Sequence, residues 1–148
     1  MGIRQIVYCS QASLDFNHLR LIALLNCARE NNRRNEITGI LLHAPGRFVQ
    51  CIEGESEAIS QLYQQIGQDD RHRDLCVLQD LILPRRFFAS WSMGCGEISR
   101  SQYLELETAK WEQLVAVRHG DQWISPGFVL MQAIWARLQS RPQIPLAS

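Results

Sequence analysis

The run Phe48-Val49-Gln50-Cys51-Ile52 is apolar on both sides of an alternating strand, with a single amide at its centre. Phe48 and Ile52 share a side with Gln50, and Val49 and Cys51 take the other. An earlier stretch repeats the pattern, with Ile6, Tyr8 and Ser10 opposed to Val7 and Cys9. A sheet built of such strands has two faces that must both be kept from water. Helices or a second sheet therefore have to cover each of them.

The remaining periodicities supply the covers. Residues 3–9 read as a strand, and 15–31 as a helix whose Leu21, Leu24, Leu25 and Ala28 fall on one face, ended by the polar run 29–35. Residues 37–43 and 48–52 form a hairpin about Ala44-Pro45-Gly46-Arg47. Ser56 is placed to cap a second helix with Ile59, Leu62, Tyr63 and Ile66 as its stripe. A strand over 76–83 stops at Pro84. This β-α-β-β-α-β order predicts an α+β, ferredoxin-like sheet with two helices on one face and a short fifth strand near 91–96. The second face falls to the segment after Ile98. It offers a helix over 102–117 and another capped by Ser125-Pro126 that runs to about Leu138, with Phe128, Met131, Ile134, Trp135 and Leu138 inward. The residues Gly94-Cys95-Gly96-Glu97 read as a turn, and the tail 141–148 as frayed.

Several function classes are disfavoured. The chain has 148 residues, 15 basic and 15 acidic side chains and no net charge, which suits one domain with a short appendage and argues against a phosphate-driven nucleic-acid binder. No apolar window is long enough for a membrane span, and the N-terminus lacks a secretory core. The cysteines at 9, 27, 51, 76 and 95 form no C-x-x-C pair and read as buried thiols in a reducing cytosol. There is no phosphate-cradling loop, and His18, His43, His72 and His119 are too scattered for a metal motif. Ser10 or Ser13 as a nucleophile has no local base.

What stands out is polar chemistry inside apolar elements: Tyr8 and Gln50 in strands that flank each other in this fold, and Asn32 at the end of the first helix. A buried phenol and amides must find partners. They can form a satisfied core cluster, or they can read the edge of a flat polar heterocycle held between Leu24 and Ile66.

Five blocks in order resemble one family: Ile6-Val7-Tyr8-Cys9-Ser10; Asn31-Asn32 ahead of Ile37-Thr38-Gly39-Ile40-Leu41-Leu42; Phe48-Val49-Gln50-Cys51-Ile52-Glu53-Gly54; Asp69-Asp70-Arg71-His72; and Arg85-Arg86-Phe87 with Ser90-Trp91-Ser92-Met93. They are similar to the BLUF domain, the blue-light sensor that uses FAD, and to its short stand-alone class. The resemblance implies Tyr8 as electron and proton donor and Gln50 as the amide between phenol and flavin. It implies Asn32 at the pyrimidine edge, Asn31 toward the O2 side or ribityl chain, and Leu24 and Ile66 about the ring. Asp69, Arg71 and His72 would stand where the ribityl chain and phosphate leave. Trp91 and Met93 would sense Gln50 from one side of the fifth strand. The cofactor would be FAD, with FMN or riboflavin as substitutes.

The chain then divides into a sensor (1–97), a helical cap and output segment (98–140) and a tail (141–148). It is expected to be a cytoplasmic, non-enzymatic photoreceptor that forms homo-oligomers and contacts a downstream protein in a light-dependent way, without nucleic acid or membrane. Trp111, Trp123 and Trp135 are either core or transmission surface. A flavin-dependent oxidoreductase and a ligand-free interaction domain are the alternatives.

Overall fold

The computed structural model describes residues 2–13, 16–112, 115–116 and 123–140. Strand β1 (Ile3–Ala12) leads to helix α1 (His18–Arg34), the hairpin β2 (Thr38–Ala44) and β3 (Arg47–Gly54), helix α2 (Ser56–Gly67) and strand β4 (His72–Leu83). Next come β5 (Gly94–Glu97), α3 (Arg100–Thr108), the two-residue strands β6 (Val115–Ala116) and β7 (Trp123–Ile124), and α4 (Pro126–Gln139). The main sheet has the order β4-β1-β3-β2-β5, and β6 pairs with β7. Its first four strands are antiparallel, as in the expected α+β ferredoxin-like fold, and β5 adds to β2 in parallel.

Strand alternation sorts the core into two layers. Ile6, Tyr8, Phe48 and Ile52 pack with Leu21 and Leu25 of α1 and Ile59 of α2. Val7, Cys9, Val49 and Cys51 pack with Tyr103 and Leu106 of α3 and with the α4 residues Phe128, Met131, Ile134, Trp135 and Leu138. The two-faced strands are thus covered by one helix pair on each side.

Several boundaries differ from the sequence reading. Helix α1 continues through the polar run to Arg34: the Asn17 side chain accepts from Arg20 N at 2.9 Å, and Arg33 and Arg34 suit the negative end of the helix dipole. Ser56 is the first residue of α2 and not its cap, since the capping position is Glu55 and its side chain makes no cap bond. Strand β4 starts at His72, earlier than the apolar run. Helix α3 begins at a Ser99–Gln102 capping box and ends at Thr108, because the Trp111 indole turns back to donate to Leu106 O at 2.8 Å.

Gly94 and Gly96 are strand and not turn. A Cβ on Gly94 would stand 2.7 Å from the Trp135 ring, and one on Gly96 would stand 2.5 Å from Leu138. The glycines serve the close approach of α4. Only Cys9 and Cys51 are fully buried; Cys27 and Cys76 are exposed and Cys95 lies between. Trp111 and Trp135 are core. The tail 141–148, Asp15 and the Trp123 side chain lie outside the described residues.

Candidate functional site

Tyr8 and Gln50 are register partners on β1 and β3, so their side chains rise from the same face under α1 and α2. The Tyr8 hydroxyl donates to Gln50 Oε1, and Gln50 Nε2 donates to Met93 Sδ at 3.3 Å. A thioether sulfur has no proton to give. Met93 therefore sets the amide with its nitrogen toward the sulfur and its carbonyl toward the phenol. Burial pushes the Tyr8 hydroxyl far above its ordinary range, with smaller contributions from Tyr63 and Asp69, so it stays a proton donor. The Tyr63 ring meets Tyr8 edge-on at 5.9 Å.

Asn32, 1% exposed in the last turns of α1, donates its amide to Ser92 O at 2.7 Å, while Arg29 Nε donates to Met93 O at 3.0 Å. The Asn32 side-chain carbonyl receives no donor among the described residues. A buried acceptor left unmet in this way calls for a ligand or water to meet it.

Between α1 and α2 lies a cleft of about 820 Å³, counted with its open mouth. Leu24 and Ile66 stand on its walls, Asn31 and Asn32 on the α1 side, and Tyr8, Leu41, Phe48, Gln50 and Met93 at its base. Aliphatic walls with amides at one end suit a flat heterocycle with a polar edge. Asp69, Arg71 and His72 line it as well. The side-chain hydrogen bond from Arg71 lowers the Asp69 carboxyl and raises the Arg71 guanidinium in return. His72 Nε2 lies 2.7 Å from Ile66 O and Nδ1 lies 2.9 Å from the Ser10 hydroxyl. The ring thus donates to the Ile66 carbonyl and, when neutral, accepts from Ser10. Both nitrogens are committed within the protein.

Nine of the eleven residues expected from the resemblance at the flavin and its transmission strand line the cleft directly, and Met93 makes ten. Trp91 is the exception. It is 38% exposed and its ring stands edge-on to Trp135 at 5.3 Å, on the α4 side. Residues 91 and 93 both precede β5, so strand parity does not relate them. Ser10 does have a histidine partner, supplied across the sheet, but its hydroxyl is buried and committed. Sequence reasoning missed Leu41, Phe48 and Arg29. The first two were within reach, because the hairpin register sets Leu41 opposite Gln50 and alternation sets Phe48 beside it.

The family model of BLUF, sensors of blue light using FAD, matches residues 3–94. The chain belongs to the BLUF family. A photoactivated adenylate cyclase subunit beta of Euglena gracilis is 38% identical over 89 residues, which is 60% of this chain and 10% of that protein. This chain therefore spans about a tenth of the length of such curated relatives. The dark-state structure of the BLUF protein BlrB superposes with a TM-score of 0.63 at 30% identity, covering 71% of this chain and 78% of that one. The ground-state structure of BlsA gives 0.71 at 24% identity, over 100% of this chain and 94% of that one, which speaks to the fold alone. BLUF domains are photosensors that use bound FAD. Among the described residues no group of His, Cys, Asp or Glu is arranged for a metal, and no helix is long and apolar enough to cross a membrane.

Proposed function

We propose that this BLUF chain holds FAD between α1 and α2 and reports illumination through the hydrogen bonds of Gln50. The observation that carries the reading is the series Tyr8–Gln50–Met93 beside the unmet acceptor of Asn32. Leu24 and Ile66 would flank the ring, and Asn32 with Asn31 would meet its polar edge. Asp69 and Arg71 would stand along the outgoing chain, where their mutual pairing leaves further guanidinium N–H groups for oxygen acceptors. His72 would act by packing, since both its nitrogens are engaged. FMN and riboflavin could replace FAD at a site that grips the ring.

Photoexcited FAD supplies an acceptor for one electron. Tyr8 would be the donor of that electron, and the proton of its hydroxyl has the existing hydrogen bond to Gln50 Oε1 as its path, because an oxidised phenol cannot hold it. Return of the electron and of that proton to Tyr8 would leave no net chemistry. The amide, released for a moment from its donor, can settle in another orientation. Met93 opposes that orientation, since a carbonyl facing its sulfur finds no proton. The altered amide is the stored signal.

Output is by protein contact through α3 and α4, to a partner that distinguishes light from dark, in a reducing cytosol and from a homo-oligomer. The exposed thiols of Cys27 and Cys76 support the reducing setting. The test is the absorption spectrum of the purified FAD-loaded protein before and after blue light. A small red shift that reverts in darkness is expected, and a flavin spectrum that light leaves unchanged would overturn the reading.

A further inference from the structure

Glu53, Gln5, Gln79 and Ser125 are all buried on the sheet face turned away from the cleft. Gln5 and Glu53 are register partners on β1 and β3, Gln79 belongs to β4, and Ser125 caps α4. Their hydrogen bonds run head to tail. The Ser125 hydroxyl donates to Gln79 Oε1 at 2.7 Å, Gln79 Nε2 donates to Gln5 Oε1, and Gln5 Nε2 donates to Glu53 Oε2 at 2.9 Å. One end is a carboxylate that accepts, and the other is closed by Phe128 N, which donates to Ser125 Oγ at 3.1 Å. Turning either amide over would set donor against donor and acceptor against acceptor among side chains buried away from solvent. The chain moves as a unit.

Glu53 has a second set of partners. It accepts from Phe87 N at 2.9 Å and from Phe88 N at 2.8 Å, and both rings pack on Phe128 of α4 at 4.8 and 5.8 Å. The segment that begins there ends in the cleft. Its Ser92 and Met93 carbonyls are held by Asn32 and Arg29, and the Met93 sulfur holds Gln50. Residues 87–93 therefore form a strap around the sheet, fastened to the Gln50 amide at one end and to the Glu53 carboxylate at the other. An interior this closely packed passes a shift between discrete arrangements and does not absorb it by gradual deformation.

We infer that Glu53, Gln5, Gln79 and Ser125 are positioning residues that carry a change at the Gln50–Met93 bond to the N-terminus of α4, through the sheet's interior and independently of β5. The inference rests on the reading of Gln50 as the light-responsive amide.

The experiment is hydrogen exchange of the α4 amides in the full FAD-loaded chain, dark and illuminated, with absorption recorded on the same samples. In the unaltered protein, light should change exchange in the first turns of α4. Gln79→Leu should keep the red shift and lose the α4 response. Ser125→Gly removes the hydroxyl bonded to Gln79 while keeping a residue that starts helices well, and should behave the same way even if Gln79→Leu does not fold. Ser99→Gly, at the cap of α3, should keep both signals. A normal α4 response in either relay variant would overturn the relay, as would a red shift without any α4 response in the unaltered protein. Loss of the red shift in the unaltered protein would instead bring down the photochemical reading and the relay with it.

Discussion

Gln50 donates to the Met93 sulfur at 3.3 Å while its carbonyl accepts from Tyr8, so one amide is held at both ends, and at the sulfur end by a group that cannot exchange roles. The phenol, kept protonated by burial, can donate, and the thioether can only accept. The orientation of Gln50 is therefore biased by the protein's own residues.

Met93→Leu keeps the volume and removes the acceptor. The variant is expected to bind FAD and to redden on illumination, but to revert more slowly, because the turned amide no longer faces a sulfur that rejects it. A net hydrogen bond is worth about 0.5–1.5 kcal/mol, and a thioether acceptor stands at the weak end, so reversion should slow roughly two- to tenfold. The decay of the light-minus-dark absorption measures it. An unchanged decay would show that Met93 does not bias the amide.

Tyr8→Phe keeps the ring packing and leaves Gln50 Oε1 without its donor. Stability should fall by about 1–3 kcal/mol, the cost of an unpaired buried polar group. FAD should remain bound and the red shift should vanish. Tyr63, 5.9 Å from Tyr8 between ring centres, makes no hydrogen bond to Gln50 and cannot deliver a proton to it. An ordinary red shift in Tyr8→Phe would remove Tyr8 from its role.

Period-two alternation made the two covered faces legible, the order of strands and helical stripes made the α+β fold so, and the strand order of that fold set Tyr8 beside Gln50. Other features depend on distant contacts. The arginines and asparagines of 29–35 look like a helix stop, yet Asn32 and Arg29 reach across to Ser92 and Met93 and draw the helix onward. Gly94 and Gly96 look like a turn until Trp135 and Leu138 are seen against them. Trp91 and Met93 separate to opposite sides because the strand that would have related them starts only at Gly94, after both. The chain Gln5–Gln79–Ser125 with Glu53 is invisible in sequence, since its members come from three strands and a helix cap and meet only once the sheet is ordered.

Alkaline pH should destabilise the fold in a defined order. Burial raises the thiols of Cys51 and Cys95, the latter to about 11, and the phenols of Tyr8 and Tyr103. The unfolded chain ionises these groups near 9.0 and 10.0, while the folded chain retains their protons. The stability they contribute is thus complete below those values and is lost as pH rises, for Cys95 between 9.0 and about 11. Melting temperature should decline steadily above pH 9.0, and Cys95→Ala should flatten that first part of the slope. A flat profile to about 11 would contradict the burial argument.

Two glycine substitutions should act in opposite directions. Gly94→Ala would set a methyl group 2.7 and 2.8 Å from two ring atoms of Trp135, whose indole is already held edge-on by Trp91. The buried Trp135 ring cannot yield without moving α4, so overpacking should cost about 1–3 kcal/mol. The cleft lies on the other face, so FAD affinity should hold while α4 loosens, seen as a lower melting temperature with an unchanged dark flavin spectrum. Gly67 closes α2 with nothing within 4 Å of an added Cβ. Gly67→Ala should stabilise by about 0.4–1 kcal/mol, chiefly by restricting the unfolded chain. If Gly94→Ala melts like the unaltered protein, the glycine of β5 is not what lets Trp135 dock, and the close packing of α4 on that strand would need another cause.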